Sequence, residues 1–301
     1  MALAAVMLAG CASPPPPQFT DADWVSHTTT GRGCYERGDY RRAADAYGRA
    51  QQRARALDDA DALAVAAVNR AVSLIPAGQA QEALAAVNEA LGDVRVSKNR
   101  RAELMAAGAR AEATLGNTDA AMKIVAVALK ENPASTIRAQ VLIAGATAEL
   151  AKGAPVQAAK VLAGLTAKEW ARLPASLRAE ETELRARITA AEGHSADARD
   201  LLDRAAAQWK QAGRLPAMAR ALAGAGWQAK EAGDLTGACD RFYRAARSLW
   251  AQEIGPEAVM VLEGGMDCAK ELGDDVVSQR ITDLFVTFKA DERLSKQGKS
   301  E

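Results

Sequence analysis

Seven glycines, Gly38, Gly78, Gly116, Gly153, Gly193, Gly233 and Gly273, recur at intervals of 40, 38, 37, 40, 40 and 40 residues. The first six are each followed five positions on by an alanine: Ala43, Ala83, Ala121, Ala158, Ala198 and Ala238. Ser278 holds that place after the seventh. A fixed period near forty, with small residues at set offsets, predicts supersecondary units that cannot bury an apolar face alone and must stack. Nearly one residue in four is alanine and only 4% are aromatic. That mixture favours helices and leaves little with which to fill a sheet. The chain is therefore expected to be all-α, a solenoid of about seven helical hairpins. Its 38 basic and 38 acidic side chains cancel, so no global field draws in nucleic acid or an anionic membrane.

The second helix of most units repeats small, large, small at i, i+4 and i+7, one face of a helix. Ala43, Tyr47, Ala50 and Ala238, Phe242, Ala245 are the clearest cases. Ala83, Val87, Ala90, then Ala121, Val125, Ala128, then Ala198, Leu202, Ala205 follow the same rule. The fourth unit departs, with Leu165 after Leu162, and the seventh reads Ser278, Thr282, Phe285. Over residues 27–288 this pattern resembles the tetratricopeptide repeat (TPR), with a longer period than the ~34 residues usual there. The resemblance implies a right-handed superhelix within residues 23–288, small residues where helices A and B of a hairpin touch, and an inner curve lined by helix A. Prolines 155, 174, 216 and 256 are expected at helix junctions, where a missing N–H costs least. Residues 289–301 are expected to form a polar tail.

Carried over by the glycine register, the inner curve would be lined by Arg32, Tyr35, Val68, Val72, Ile75, Arg110, Ile143, Thr147, Leu150, Glu183, Arg187, Trp227, Lys230, Glu263, Asp267 and Lys270. Six of these are the candidate partner-binding residues: Arg32, Tyr35, Arg110, Arg187, Trp227 and Lys230. Tyr35 and Trp227 are of the types that most often anchor interfaces, although Trp227 could equally pack between neighbouring A helices. Arg32, Arg110 and Arg187 could form a basic track for an acidic peptide or a C-terminal carboxylate.

Residues 1–10 form an uncharged apolar run ending at Cys11, too short to span a bilayer but suited to a signal segment. Leu8-Ala9-Gly10-Cys11 resembles the lipobox of bacterial lipoproteins, which implies removal of residues 1–10 and acylation of Cys11. No Lys or Arg precedes the run, so the signal reads as N-terminally truncated by a late start codon. Ser13-Pro14-Pro15-Pro16-Pro17 is an extended spacer within a linker over 11–22. Ala12, in place of aspartate, resembles lipoproteins sorted to the outer membrane. The implied location is the periplasmic face of a bacterial outer membrane, held by lipid.

Little in the chain points to chemistry. His27 and His194 are the two histidines, and neither has a carboxylate or cysteine at ligand spacing. Gly224-Ala225-Gly226-Trp227-Gln228-Ala229 fits a dinucleotide fingerprint formally, but a helical segment precedes it where that turn needs a strand. Glu180-Glu181-Thr182-Glu183 and Asp58-Asp59-Ala60-Asp61 read as solvated helix ends. Cys239 and Cys268 fall on stacked helices, where a disulfide is possible but buried thiols are the default. The chain is expected to be no enzyme and to take no cofactor beyond the lipid on Cys11. Its partner would be another envelope protein or peptide in the groove, with this chain as adaptor or scaffold. Two alternatives are an activator of a peptidoglycan synthase or hydrolase, and a lipid-handling protein using Val68, Val72, Ile75, Ile143 and Leu150.

Overall fold

A computed structural model describes residues 19–297, with side chains through Lys289. Fifteen helices and no strands are found among them. Seven hairpins follow in order: α1 (Ala22–Glu36) with α2 (Tyr40–Ala56), α3 (Ala60–Leu74) with α4 (Ala80–Leu91), α5 (Lys98–Thr114) with α6 (Thr118–Lys130), and α7 (Ser135–Ala151) with α8 (Pro155–Leu162). A short α9 (Ala167–Ala171) intervenes before α10 (Ala175–Ala191) with α11 (Ser195–Gln211). The array ends with α12 (Leu215–Glu231) and α13 (Leu235–Trp250), then α14 (Gly255–Leu272) and α15 (Asp275–Gln297). Most helices pack chiefly on their chain neighbours, and α5 packs most closely on α7 of the next hairpin, so contacts stay between adjacent units as in a solenoid.

All seven periodic glycines lie in the hairpin turns with φ between +70° and +88°, where any other residue would be strained. In six turns the following residue's N–H reaches back five positions to a helix carbonyl, as in Asp39 N–H to Cys34 C=O at 2.9 Å and Asp234 N–H to Ala229 C=O at 2.9 Å. That bond satisfies a carbonyl the helix end would otherwise leave orphaned. Asp39, Asp59 and Asp234 then cap the next helices through their side chains. Pro155, Pro216 and Pro256 fall in first turns, and Pro174 is the N-cap of α10.

Packing follows one rule. The six alanines after the turns are fully buried at 0% exposure, since a larger side chain would hold helices A and B apart. Tyr47 and Phe242 are buried against glycines on helix A. A Cβ on Gly31 would lie 2.9 Å from the Tyr47 ring, and one on Gly226 would lie 2.9 Å from Phe242. Phe242 also meets the next hairpin, where a Cβ on Gly265 would stand 3.1 Å from its own Cβ. The ring is thus wedged between two glycine faces.

Three expectations of the sequence are corrected. In α15 the buried residues are Ile281 and Phe288, with Thr282 exposed and Phe285 only half-buried. The face has turned by one position, and Phe288 stacks on Trp250 at 4.0 Å between ring centroids. The second helix of the fourth unit stops at Leu162, and α9 is added, opened by a capping box between Thr166 and Glu169. The α9 residue Trp170 donates its indole N–H to Glu181 Oε2 at 2.9 Å. Glu181 is 2% exposed and also pairs with Arg185, so the acidic run on α10 is mid-helix and partly buried, not a solvated end.

At the termini, Asp21 already caps α1 through Trp24 N–H at 2.9 Å and binds Arg53 at 2.7 Å. The Arg53 guanidinium holds its carboxyl at about 2. Phe19 also packs on Trp24, with ring centroids 4.6 Å apart, so contacts of the packed array begin ahead of residue 23. At the other end α15 runs through Gln297 rather than giving way at 289. Cys11, the apolar run before it and the proline spacer lie outside the described residues.

Candidate functional site

The concave side is defined by contacts between A helices of different hairpins, some of them far apart in the array. Arg110 on α5 pairs with Glu180 on α10, 70 residues away. Arg220 on α12 makes a two-pronged pair with Glu257 on α14, at 2.8 Å for both Nε–Oε1 and Nη2–Oε2. Its Nη2 also comes within 3.0 Å of where a Cβ on Gly38 would sit. Glu36, at the end of α1, is bound by Arg214 across 178 residues of sequence. The first hairpin therefore faces the sixth, and the shared side of the A helices is the inner one.

Tyr35 and Arg110 are brought together at its centre. Tyr35 is half-buried, edge-on to Tyr40 with ring centroids 5.4 Å apart. Burial pushes its hydroxyl up, helped by Tyr40 and Glu180 and opposed by Arg110 and Arg220. Glu183, one turn from Glu180, carries the largest perturbation on this face. Burial pushes its carboxyl up to about 7 against the ordinary 4.5, and Glu180 adds to it. Trp209, Arg187 and Arg220 pull the other way. The Trp209 indole N–H is buried with no partner at hydrogen-bonding distance, so its help to the carboxylate is weak.

The remaining candidates are scattered. Arg32 and Arg187 are exposed. Because Glu180 neutralises Arg110, the three arginines form no continuous basic track. Lys230 reaches Glu271 at 3.0 Å, toward the seventh hairpin. Trp227 lies over α14, where a Cβ on Gly264 would come within 2.8 Å of its ring. It meets Phe242 edge-on at 4.8 Å between centroids. Trp227 is both a packing residue between A helices and a surface one, since it stays 45% exposed. Ile143 belongs to the core at 2% exposure and lines nothing, which removes one wall of an apolar channel.

Sequence reasoning passed over Glu36, Tyr40, Glu180, Arg214 and Arg220. Two of them carried a signal: Glu180 lies seven residues before Arg187, and Arg220 seven before Trp227, hence on the same helical face. The first hairpin carries seven arginines between 32 and 55, of which Arg42 pairs with Asp39, Arg53 with Asp21 and Arg55 with Glu89.

Cys34, Cys239 and Cys268 are buried free thiols. The Cys268 S–H points to the Leu235 carbonyl at 3.3 Å, and burial beside Cys268 pushes the Cys239 thiol up to about 12. At neutral pH that disfavours the thiolate, the form that reacts. Native protein is expected to resist iodoacetamide at Cys239, and protein unfolded without reductant to take up label at all three positions. A mass that lacked two labels would reveal a bridge. His194 is exposed at the start of α11, and Gly224–Ala229 lies inside α12. Among the described residues there is no His, Cys, Asp or Glu group able to hold a metal, and no helix long and apolar enough to cross a membrane.

The chain is an α-solenoid of TPR-like hairpins with a mixed-charge concave face. No family model matches it, and no curated protein matches it in sequence. Among solved structures it is similar to a Rap protein complexed with competence and sporulation factor, at 14% identity, 93% of this chain, 77% of that chain and a TM-score of 0.58. That likeness concerns the fold. A tetratricopeptide repeat protein from Parabacteroides merdae (12% identity, 89% of this chain, 99% of that one, TM-score 0.37) superimposes too loosely to bear on the argument.

Proposed function

We propose that this chain is a docking scaffold that receives a protein or peptide on its concave face and is tethered, through an acylated Cys11, to the periplasmic side of a bacterial outer membrane. The observation that carries the docking half is Trp227, an aromatic ring left 45% exposed on the side of helix A that the repeat register assigns to the inner curve, with Lys230 beside it paired to Glu271. A desolvated aromatic anchor supplies binding free energy that exposed ion pairs do not. With Arg110 neutralised by Glu180, the face suits a segment held by an apolar or aromatic side chain better than a run of acids. A solenoid of like fold is known in complex with competence and sporulation factor, which supports a groove of this shape as a receiving surface. The tether rests on Leu8–Cys11 and the prolines after it. Confinement to a membrane surface would raise the effective concentration of the two partners.

A photo-crosslinking side chain at Trp227 or Tyr35 is expected to capture an envelope protein in cells, while one at Lys123 on α6 captures nothing. The reverse pattern would place docking on the B helices. In the same cells Cys11→Ser is expected to move the chain from the membrane to the soluble fraction, because several acyl chains, not the folded surface, supply the attachment.

A further inference from the structure

We propose that the contact between the first and sixth hairpins is a releasable latch, so that the solenoid interconverts between a closed superhelix and an open one. The closing elements are the Glu36–Arg214 ion pair and Arg220 seated at the Gly38 turn. Gly38 is singular in this respect. Around each of the other six hairpin-turn glycines there is nothing within 4 Å of an added Cβ, whereas Gly38 has the Arg220 guanidinium at 3.0 Å. The neighbour comes from five hairpins further along the chain.

This contact differs in kind from the joints between consecutive hairpins. Those are made of buried apolar groups, such as the Phe242 ring wedged between Gly226 and Gly265 of the next hairpin. The latch is made of charged side chains, and Arg214 and Glu36 keep 39% and 38% of their side-chain surface in solvent. Ion pairs of that exposure are weak and are screened by salt. Tyr35 and Tyr40 sit behind it in the field of Arg110, Glu180 and Arg220, so the latch and the centre of the concave face share charges. Each hairpin touches mainly its neighbours, and small rotations at successive joints can therefore separate the two ends without unfolding any unit. Opening would widen the way to Tyr35 and Arg110.

The test needs no partner, so its outcome is independent of the docking reading above. Spin labels are placed at Arg41→Cys on α2 and Gln211→Cys on α11 in a full-length Cys11→Ser chain; the three buried thiols are protected. At low salt a single narrow distance is expected. In 1 M salt, and in Arg214→Glu at low salt, that distance is expected to lengthen by about 10 Å, one helix diameter, with unchanged helix content. The swapped pair Glu36→Arg with Arg214→Glu is expected to restore the short distance. A distance that ignored both salt and Arg214→Glu would overturn the latch. So would failure of the swapped pair to restore closure in a chain of normal helix content, and the swap also separates opening from misfolding.

Discussion

Phe242→Ala is expected to cost about 3–5 kcal/mol, the range for deleting a fully buried aromatic ring. The ring is at 0% exposure and has glycine faces on both sides, Gly226 within its own hairpin and Gly265 on the next. Neither glycine has a side chain with which to fill the hole, so collapse could recover little. Loss of this wedge falls on the joint between the sixth and seventh hairpins. In a nearest-neighbour array a weakened joint lets the terminal unit melt by itself. Urea unfolding followed by circular dichroism should therefore change from one transition to two, the first with a small amplitude. A single transition with an unchanged midpoint would contradict this account of the joint. Trp227, which leans on the same ring, should lose its fixed environment and shift its fluorescence.

The second large effect concerns pH. Glu183 titrates at about 7 in the folded chain against an ordinary 4.5, so between those values the folded state holds more protons than the unfolded one. Stability must then fall as pH rises through that window, and the penalty is fully present above it. The full shift would correspond to about 3 kcal/mol, and the partial exposure of Glu183 brings the expected figure nearer to about 1–2 kcal/mol. Glu183→Gln keeps the shape and removes the charge. It is expected to be more stable than the parent at pH 8 and no more stable at pH 4. Parallel stability profiles for the two proteins across that range would show that the carboxyl is not held protonated.

Much of the fold was legible because it repeats. Turn glycines at positive φ, alanines five residues on, and Tyr47 or Phe242 over a helix A glycine are local requirements, met again in successive units, so period alone reveals them. The departures came where locality fails. In α15 the buried positions shift to Ile281 and Phe288, with Phe288 answering Trp250, a pairing outside the repeat pattern. The added α9 depends on Thr166, Glu169 and Trp170 meeting a buried Glu181, a pairing that no period encodes. Within the candidate site, helix A register assigns Tyr35, Arg110 and Trp227 to one side. It could not say that Glu180 would neutralise Arg110, or that Arg214 and Arg220 would reach the first hairpin. Those meetings depend on accumulated curvature, a property of the whole stack.

The meeting of Glu36 with Arg214 turns the number of hairpins into a structural quantity. Every unit adds its own rotation and rise, so which two ends coincide depends on how many units lie between them. Excising one internal unit would leave joints of the same kind and a chain still able to fold. It would nonetheless bring Glu36 opposite the wrong turn, offering no guanidinium at the right height. Whole-unit gain or loss, usually the easiest change for a repeat architecture to absorb, is here coupled to whether the molecule can close at all.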